Sequence, residues 1–338
     1  MAAVQFHRRL IVLGTAAGAL AVAFALGLIF SPTNIQRRRA EAPLLPGFKS
    51  ETVNRILIEG PKGGIELEKR DKSWSVHIAG QPYPASGERV ASFFEQLASI
   101  KKNRLVSVNP DAWKSFEVDQ AAKWKLKMLD ASGKSLVSLI VGKTPEGERG
   151  SYVRLEGSNE VILINRSLSF YLDSTPSFWS HLKFFPAELR GEELMRISVR
   201  CDIAFSDQSA QRLNWTVIQS QEAGRDWKVI APVAEQSTVL DNKEVDRLAN
   251  ALVAFEGSEF VTNAAAVDTG LSAAAAEVLF STVKNQDYRI LVGKRLEDRY
   301  YAKLDGGAYV YLVPEWRLKS ILLPLSELVQ KSGEKKEK

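Results

Sequence analysis

The second half of the chain repeats the first, and that constrains the fold more than any single motif in it. Trp74-Ser-Val76 recurs as Trp227-Lys-Val229, and Leu139-Ile-Val141-Gly142-Lys143 as Ile290-Leu-Val292-Gly293-Lys294. Tyr152-Val-Arg-Leu155-Glu-Gly157 returns as Tyr301-Ala-Lys-Leu304-Asp-Gly306, and Val161-Ile-Leu163 as Val310-Tyr-Leu312. Between these lies an apolar set, Val90, Phe93, Leu97 and Ile100, matched by Val245, Leu248, Leu252 and Phe255. The matches keep one order, with offsets of 149 to 155 residues. Val53-Asn-Arg55-Ile56 matches Leu194-Met-Arg196-Ile197 at a shorter offset of 141, because the second copy carries extra residues around SDQSAQRLN. Ordered self-similarity of this kind marks a duplicated structural unit, here of about 140 residues.

Each copy reads as strands, one helix, then more strands. Residues 55–59, 65–70 and 73–78 alternate apolar and polar side chains between turn-forming stretches, as half-buried strands do. The helix follows: Ser86 and Asp241 stand at N-cap positions, Glu244 completes a capping-box pattern, and the apolar residues recur at three and four. A connector with Asn109-Pro110 and Trp113 leads to residues 124–129, 136–141, 152–156 and 161–164, spaced as an antiparallel meander. Leu168, Phe170 and Tyr171 begin a short closing helix. The expected class is α+β: two tandem units, 48–185 and 186–330, each a mainly antiparallel sheet with a helix on one face.

Leu10 and Phe30 bound a run of 21 residues without a charge. A helix of that length spans the roughly 30 Å apolar core of a bilayer. Ala23-Phe24-Ala25 offers a small-x-small pattern for a cleaved signal peptide, but the apolar run continues to Phe30, which an uncleaved anchor accounts for. The expected order is a flank at 1–9, a transmembrane helix at 10–30, a linker at 31–47 rich in Pro, Ala and Arg, and a polar, frayed tail at 331–338. With a short N-terminal flank and a single span, the N-terminus is expected in the cytoplasm and the bulk outside the bacterial inner membrane. Arg37, Arg38 and Arg39 then lie near lipid headgroups, although the charge rule alone favours the reverse orientation.

The formal net charge of +5 resides in the N-terminal segment. Residues 1–40 hold five Arg and no acid, leaving 40 basic against 40 acidic side chains in the other 298 residues. A neutral body speaks against sequence-independent nucleic-acid binding. Gly142-Lys143-Thr144 ends like a phosphate-binding loop, but Val137 stands where the first glycine of Gly-x-x-x-x-Gly-Lys-Ser/Thr belongs, and another strand follows instead of a helix, so no nucleotide is expected. The Gly-Lys pair reads instead as a strand-end turn, with glycine supplying backbone freedom. Three histidines, His7, His77 and His181, show no metal-ligand spacing. Cys201 is the single cysteine, which excludes an internal disulfide. No catalytic, metal-ligating or cofactor-binding residue is expected. Tyr300, Tyr301, Tyr309 and Tyr311 form a tyrosine-rich hairpin and are the candidate binding residues, since aromatics dominate recognition surfaces. Tyr300 and Tyr301 must face opposite sides of a strand, so at most one is expected in the core.

Arg-Ile-x-Ile, the Trp-Ser-Val strand, the Val-x-x-Phe-Phe-x-x-Leu helix, Phe116-Glu-Val118-Asp119, Val-Gly-Lys, Ser-Tyr-Val-Arg-Leu and Ser167-Leu-Ser-Phe-Tyr171 together resemble a bacterial family, domain of unknown function 4340. The likeness covers about residues 48–330, and the first copy is closer to the pattern. In the second copy Thr269-Gly270-Leu271 stands in place of Phe116-Glu-Val118. Members of this family are typically single-span membrane proteins encoded beside ABC-transporter components of the gliding-motility type. The resemblance therefore implies a non-catalytic, membrane-anchored accessory or scaffold subunit, with transporter subunits as partners. The aromatic hairpin supports a second reading, an envelope protein that binds or hydrolyses glycan or peptide in a cleft between the repeats.

Overall fold

The computed structural model describes residues 18–22, 24, 41–207, 210–220 and 226–330. The chain forms two compact units: one comprises the residues up to His77 together with Gly87–Trp179, the other Ile78–Ser86 together with the residues from Ser180 onward. Each is built on an antiparallel sheet with a few helices, so the molecule is mainly β. The elements of the first half are β1 (Arg55–Gly60), β2 (Gly63–Arg70), β3 (Ser73–Ile78), β4 (Gln81–Pro84), α1 (Gly87–Ser99), β5 (Arg104–Ser107), β6 (Trp124–Leu129), β7 (Ser135–Val141), β8 (Tyr152–Leu155) and β9 (Val161–Leu163). Those of the second are β10 (Leu194–Ala204), β11 (Ala210–Gln219), β12 (Trp227–Ala231), α2 (Asn242–Val253), β13 (Glu259–Phe260), β14 (Ala276–Thr282), β15 (Asp287–Leu296), β16 (Arg299–Leu304) and β17 (Val310–Pro314).

The first sheet runs β4-β3-β2-β1-β6-β7-β8-β9-β5 and the second runs β12-β11-β10-β14-β15-β16-β17-β13, the same order apart from the additional edge strand β4. The duplication extends to backbone detail. Glu117 (φ 58°) and Gly270 (φ 69°), Gly133 (φ 84°) and Asn285 (φ 57°), and Gly157 (φ 79°) and Gly306 (φ 73°) hold left-handed conformations at equivalent places. Glu117 needs the conformation as much as Gly270 does, so the unlike triplets Phe-Glu-Val and Thr-Gly-Leu trace one backbone path. The helices cap and pack as their patterns require. The Asp241 carboxylate accepts from the Lys243 N–H at 3.0 Å, whereas Glu244 turns to Arg247 instead of closing a capping box. Val90, Phe93, Phe94 and Leu97 of α1 are buried. Val245, Leu248 and Leu252 of α2 join one core with Ile197 and Val199 of β10 and Trp215 of β11. Each such side chain contributes about 1.5–3 kcal/mol through burial.

Three features differ from the sequence expectation. First, β4, β5 and β13 are too short to show an alternating pattern. Second, the chain enters the first unit before residue 48: Leu44 is fully buried, its N–H donates to the Ile100 carbonyl at 2.8 Å, and the Lys102 N–H donates to Ala42 at 2.9 Å. The second unit repeats this entry, with Phe184 donating to Phe255 at 3.1 Å and Gly257 to Leu182 at 2.9 Å. Residues 42–45 and 182–185 are thus equivalent entry segments, so the linker is shorter than 31–47. Pro43 and Pro46 make the stretch look like a tether, but pairing with Lys101 orders it. Third, Ile78–Ser86 groups with the second unit, where Ile78 and Tyr83 pack on its core. Residues 10–30 lie outside the described residues apart from 18–22 and 24, which are helical and exposed, and 331–338 lies outside them altogether. Among the described residues no helix is long and apolar enough to cross a membrane.

Candidate functional site

The Val-Gly-Lys motif owes its glycine to a close approach rather than to a turn. A Cβ on Gly142 would stand 2.1 Å from the Phe116 carbonyl oxygen, and one on Gly293 would stand 2.1 Å from that of Thr269. In each unit the connector after β5 or β13 crosses directly over the strand at this point. The next residue's N–H ties it down, Lys143 to Phe116 at 3.3 Å and Lys294 to Thr269 at 2.8 Å. Neither glycine has a positive φ, and Gly293 lies inside β15, beside the register shift between Val292 and Arg295. Gly142 does follow the last residue of β7, but in both copies glycine supplies space and not the backbone freedom expected of it. In the first unit Arg154 adds a clamp, its Nε–H donating to the Val118 carbonyl at 2.9 Å while its guanidinium covers the Trp113 ring at 3.8 Å. The Tyr-Val-Arg motif thereby holds the connector. Burial, the largest influence, lowers the Arg154 pKa.

The tyrosines lie in or against the core of the second unit. Tyr300, Tyr301 and Tyr311 are 3%, 7% and 8% exposed. The Tyr300 hydroxyl donates to the Ala204 carbonyl at 3.0 Å, and Tyr311 meets Phe184 with ring centres 4.4 Å apart. Burial pushes the Tyr311 hydroxyl up to about 12. Tyr309 is partly buried between Tyr83 and Phe260, 5.7 and 5.2 Å away. Tyr301 does face away from Tyr300 and is outside the core cluster that holds Tyr300 and Tyr311, yet it too is buried. Nothing in the residues 299–311 announces that burial. For Tyr309 part of the cover comes from Tyr83, more than 200 residues earlier.

The second unit instead carries a polar recess of about 450 Å³, lined by Arg190, Gly191, Glu192, Gln219, Asn242, Asp246 and Asn250. Asn242, Asp246 and Asn250 recur every four residues, which places them on one face of α2. Asn242 and Asp246 also brace the fold. The Asn242 side chain accepts from the Trp227 N–H at 3.0 Å and donates to Asp226 at 2.6 Å, and Asp246 accepts from the Trp227 indole at 3.1 Å. The opposite wall is the turn before β10, held against α2 so closely that a Cβ on Gly191 would stand 2.5 Å from Asn250 Oδ1. Arg190 is anchored by donation to the Ala187 carbonyl at 3.0 Å. Sequence reasoning overlooked this row, although the repeat carried a signal for it: at an offset of 155 the first copy holds Gly87, Ala91 and Glu95.

Two buried titratable groups outside the recess, Glu315 and Cys201, serve structure. The buried Glu315 carboxylate accepts from Ser206 N–H and Oγ–H, both at 2.8 Å, and pairs with Lys319 at 3.1 Å. Desolvation raises its pKa, but these partners outweigh it and leave the carboxyl below its ordinary value. Cys201 is 4% exposed, and burial pushes its thiol up to about 11. A thiol so rarely ionised is inert. In the native protein Cys201 should resist iodoacetamide at neutral pH and react once denatured, as mass spectrometry would read; rapid native labelling would contradict its placement. Among the described residues no three His, Cys, Asp or Glu side chains stand close enough to hold a metal ion.

The family model described as "Domain of unknown function (DUF4340)" matches residues 74–274, a span of 201 residues in a chain of 338. The match runs from Trp74 in β3, through the first meander and the α2 recess, to the residues just before β14. No curated protein matches the chain, and no solved structure does. On the extent of the family match, the chain belongs to the DUF4340 family.

Proposed function

We propose that the protein is a non-catalytic accessory or scaffold subunit, anchored in the bacterial inner membrane by residues 10–30, that holds its two sheet units beside an ABC-type transport or export complex. One observation supports this above the others. The entry segment is locked onto the first unit from Ala42 onward, so that no more than eleven residues, 31–41, separate Phe30 from folded protein. A stretch of that length reaches about 40 Å at most. Whatever its conformation, the first unit stays within one domain diameter of the membrane surface, where a partner in the same bilayer is in reach. A neutral body with paired, structural ion pairs fits a surface made for proteins rather than for polyanions. The family resemblance supplies the partner's class.

The test is affinity purification of the full chain from membranes in mild detergent. Co-elution of an ABC-type ATPase or permease in fixed ratio to the chain is expected. A chain that elutes free of transporter subunits at every concentration would overturn the reading.

A further inference from the structure

We propose that the α2 recess of the second unit is a binding site for a neutral, hydroxyl-rich ligand of the sugar class. Duplication provides an internal control for what the fold itself requires. The first unit has an equivalent helix and, apart from the edge strand β4, the same sheet order, yet Gly87, Ala91 and Glu95 occupy the positions of Asn242, Asp246 and Asn250. A helix in this place is therefore stable without the polar row. Asn242 and Asp246 found structural partners in Asp226 and Trp227. Asn250 did not: among the described residues its side chain makes no hydrogen bond, and its amide stands at the recess wall beside Gly191.

The lining selects the ligand. Asn250 and Gln219 each offer a donor and an acceptor, Arg190 offers donors, and Asp246 keeps acceptor capacity beyond its one bond from Trp227. Two carboxylates, Asp246 and Glu192, against one guanidinium disfavour an anion by like-charge repulsion. Amide and guanidinium donors find nothing to bond on an apolar ligand or a simple cation. Vicinal hydroxyls both donate and accept, and so satisfy both sets. At about 450 Å³ the recess falls within the range of small-ligand sites, roughly 300–1,000 Å³. The inference is independent of the accessory reading, since a chain that co-purifies with no transporter can still bind sugar.

The experiment is calorimetric titration of the full chain, in a zwitterionic detergent without a sugar headgroup, with cellobiose, N,N′-diacetylchitobiose and glucose 6-phosphate. Saturable binding of at least one neutral disaccharide is expected, with the sugar phosphate weaker. Retention of the chain on insoluble cellulose or chitin would point to a polymer as the source, and binding of the soluble sugars alone to a free saccharide. Asn250→Ala and Asp246→Asn should each weaken binding roughly ten-fold, the worth of one hydrogen bond in a site, with thermal melting unchanged. Asp246→Asn keeps an acceptor for Trp227, and Asn250 holds nothing in place. No saturable heat with either neutral sugar, tighter binding of the phosphate, or unchanged binding in either variant would overturn the proposal.

Discussion

Replacing Gly142 with alanine is expected to destabilise the protein by about 2–3 kcal/mol, the cost of forcing backbone apart in a packed region. The added methyl would stand 2.1 Å from the Phe116 oxygen and 2.8 Å from Val118 Cγ1. Neither is the free end of a flexible side chain. The connector must lift, and Val118, fully buried against Ile140 and Val161, must be uncovered with it. Gly293→Ala should cost a similar amount, because Thr269 approaches it in the same way. Gly133→Ala is the comparison. That glycine sits in a turn at φ 84° with open space around it, so the substitution should cost only about 1 kcal/mol of backbone strain. Shifts in urea midpoint at constant slope would read all three. If Gly142→Ala proved no worse than Gly133→Ala, the crossing connector would not be what the glycine accommodates.

Leu44→Ala should destabilise the first unit by about 2–4 kcal/mol, in the range for a leucine removed from a well-packed interior. Read as part of a tether, the same residue would contribute almost nothing, and this makes the substitution decisive about where the unit begins. Deletion of the chain up to residue 47 should be worse still. It removes Leu44 together with the bonds from Leu44 to Ile100 and from Lys102 to Ala42, and leaves the apolar end of α1 open at Ile100. A chain beginning at residue 41 should melt at the temperature of the full-length protein, and one beginning at residue 48 several degrees lower. Equal melting of the two would return residues 41–47 to the linker.

The long strands and both amphipathic helices were legible in the sequence because their signals are local. A half-buried strand alternates and a helix face recurs at three and four, whatever lies above them. The duplication was legible for a different reason: two copies under the same packing demands keep the same residue types in the same order. Leu44 was misread because prolines flank it, and local composition cannot reveal a bridge to Lys101. The tyrosines were misread because the burial of Tyr309 and Tyr311 depends on Tyr83 and Phe184, contributed from far along the chain. The recess was missed because an Asn-Asp-Asn row on a helix looks like any solvated face until the turn carrying Gly191 is set against it.

By itself, then, the sequence determined the periodicities, the turn positions, the neutral body, the apolar segment at 10–30 and the fact of repetition, all properties carried within a few residues or by comparison of one copy with the other. The tertiary structure alone decided that β6 lies beside β1 across an intervening helix, that the Val-Gly-Lys glycines lie under a crossing connector, that the tyrosines are buried or partly buried and that Asn250 faces a recess. Those outcomes rest on which distant segments come into contact, and no local pattern encodes the identity of a residue's partner.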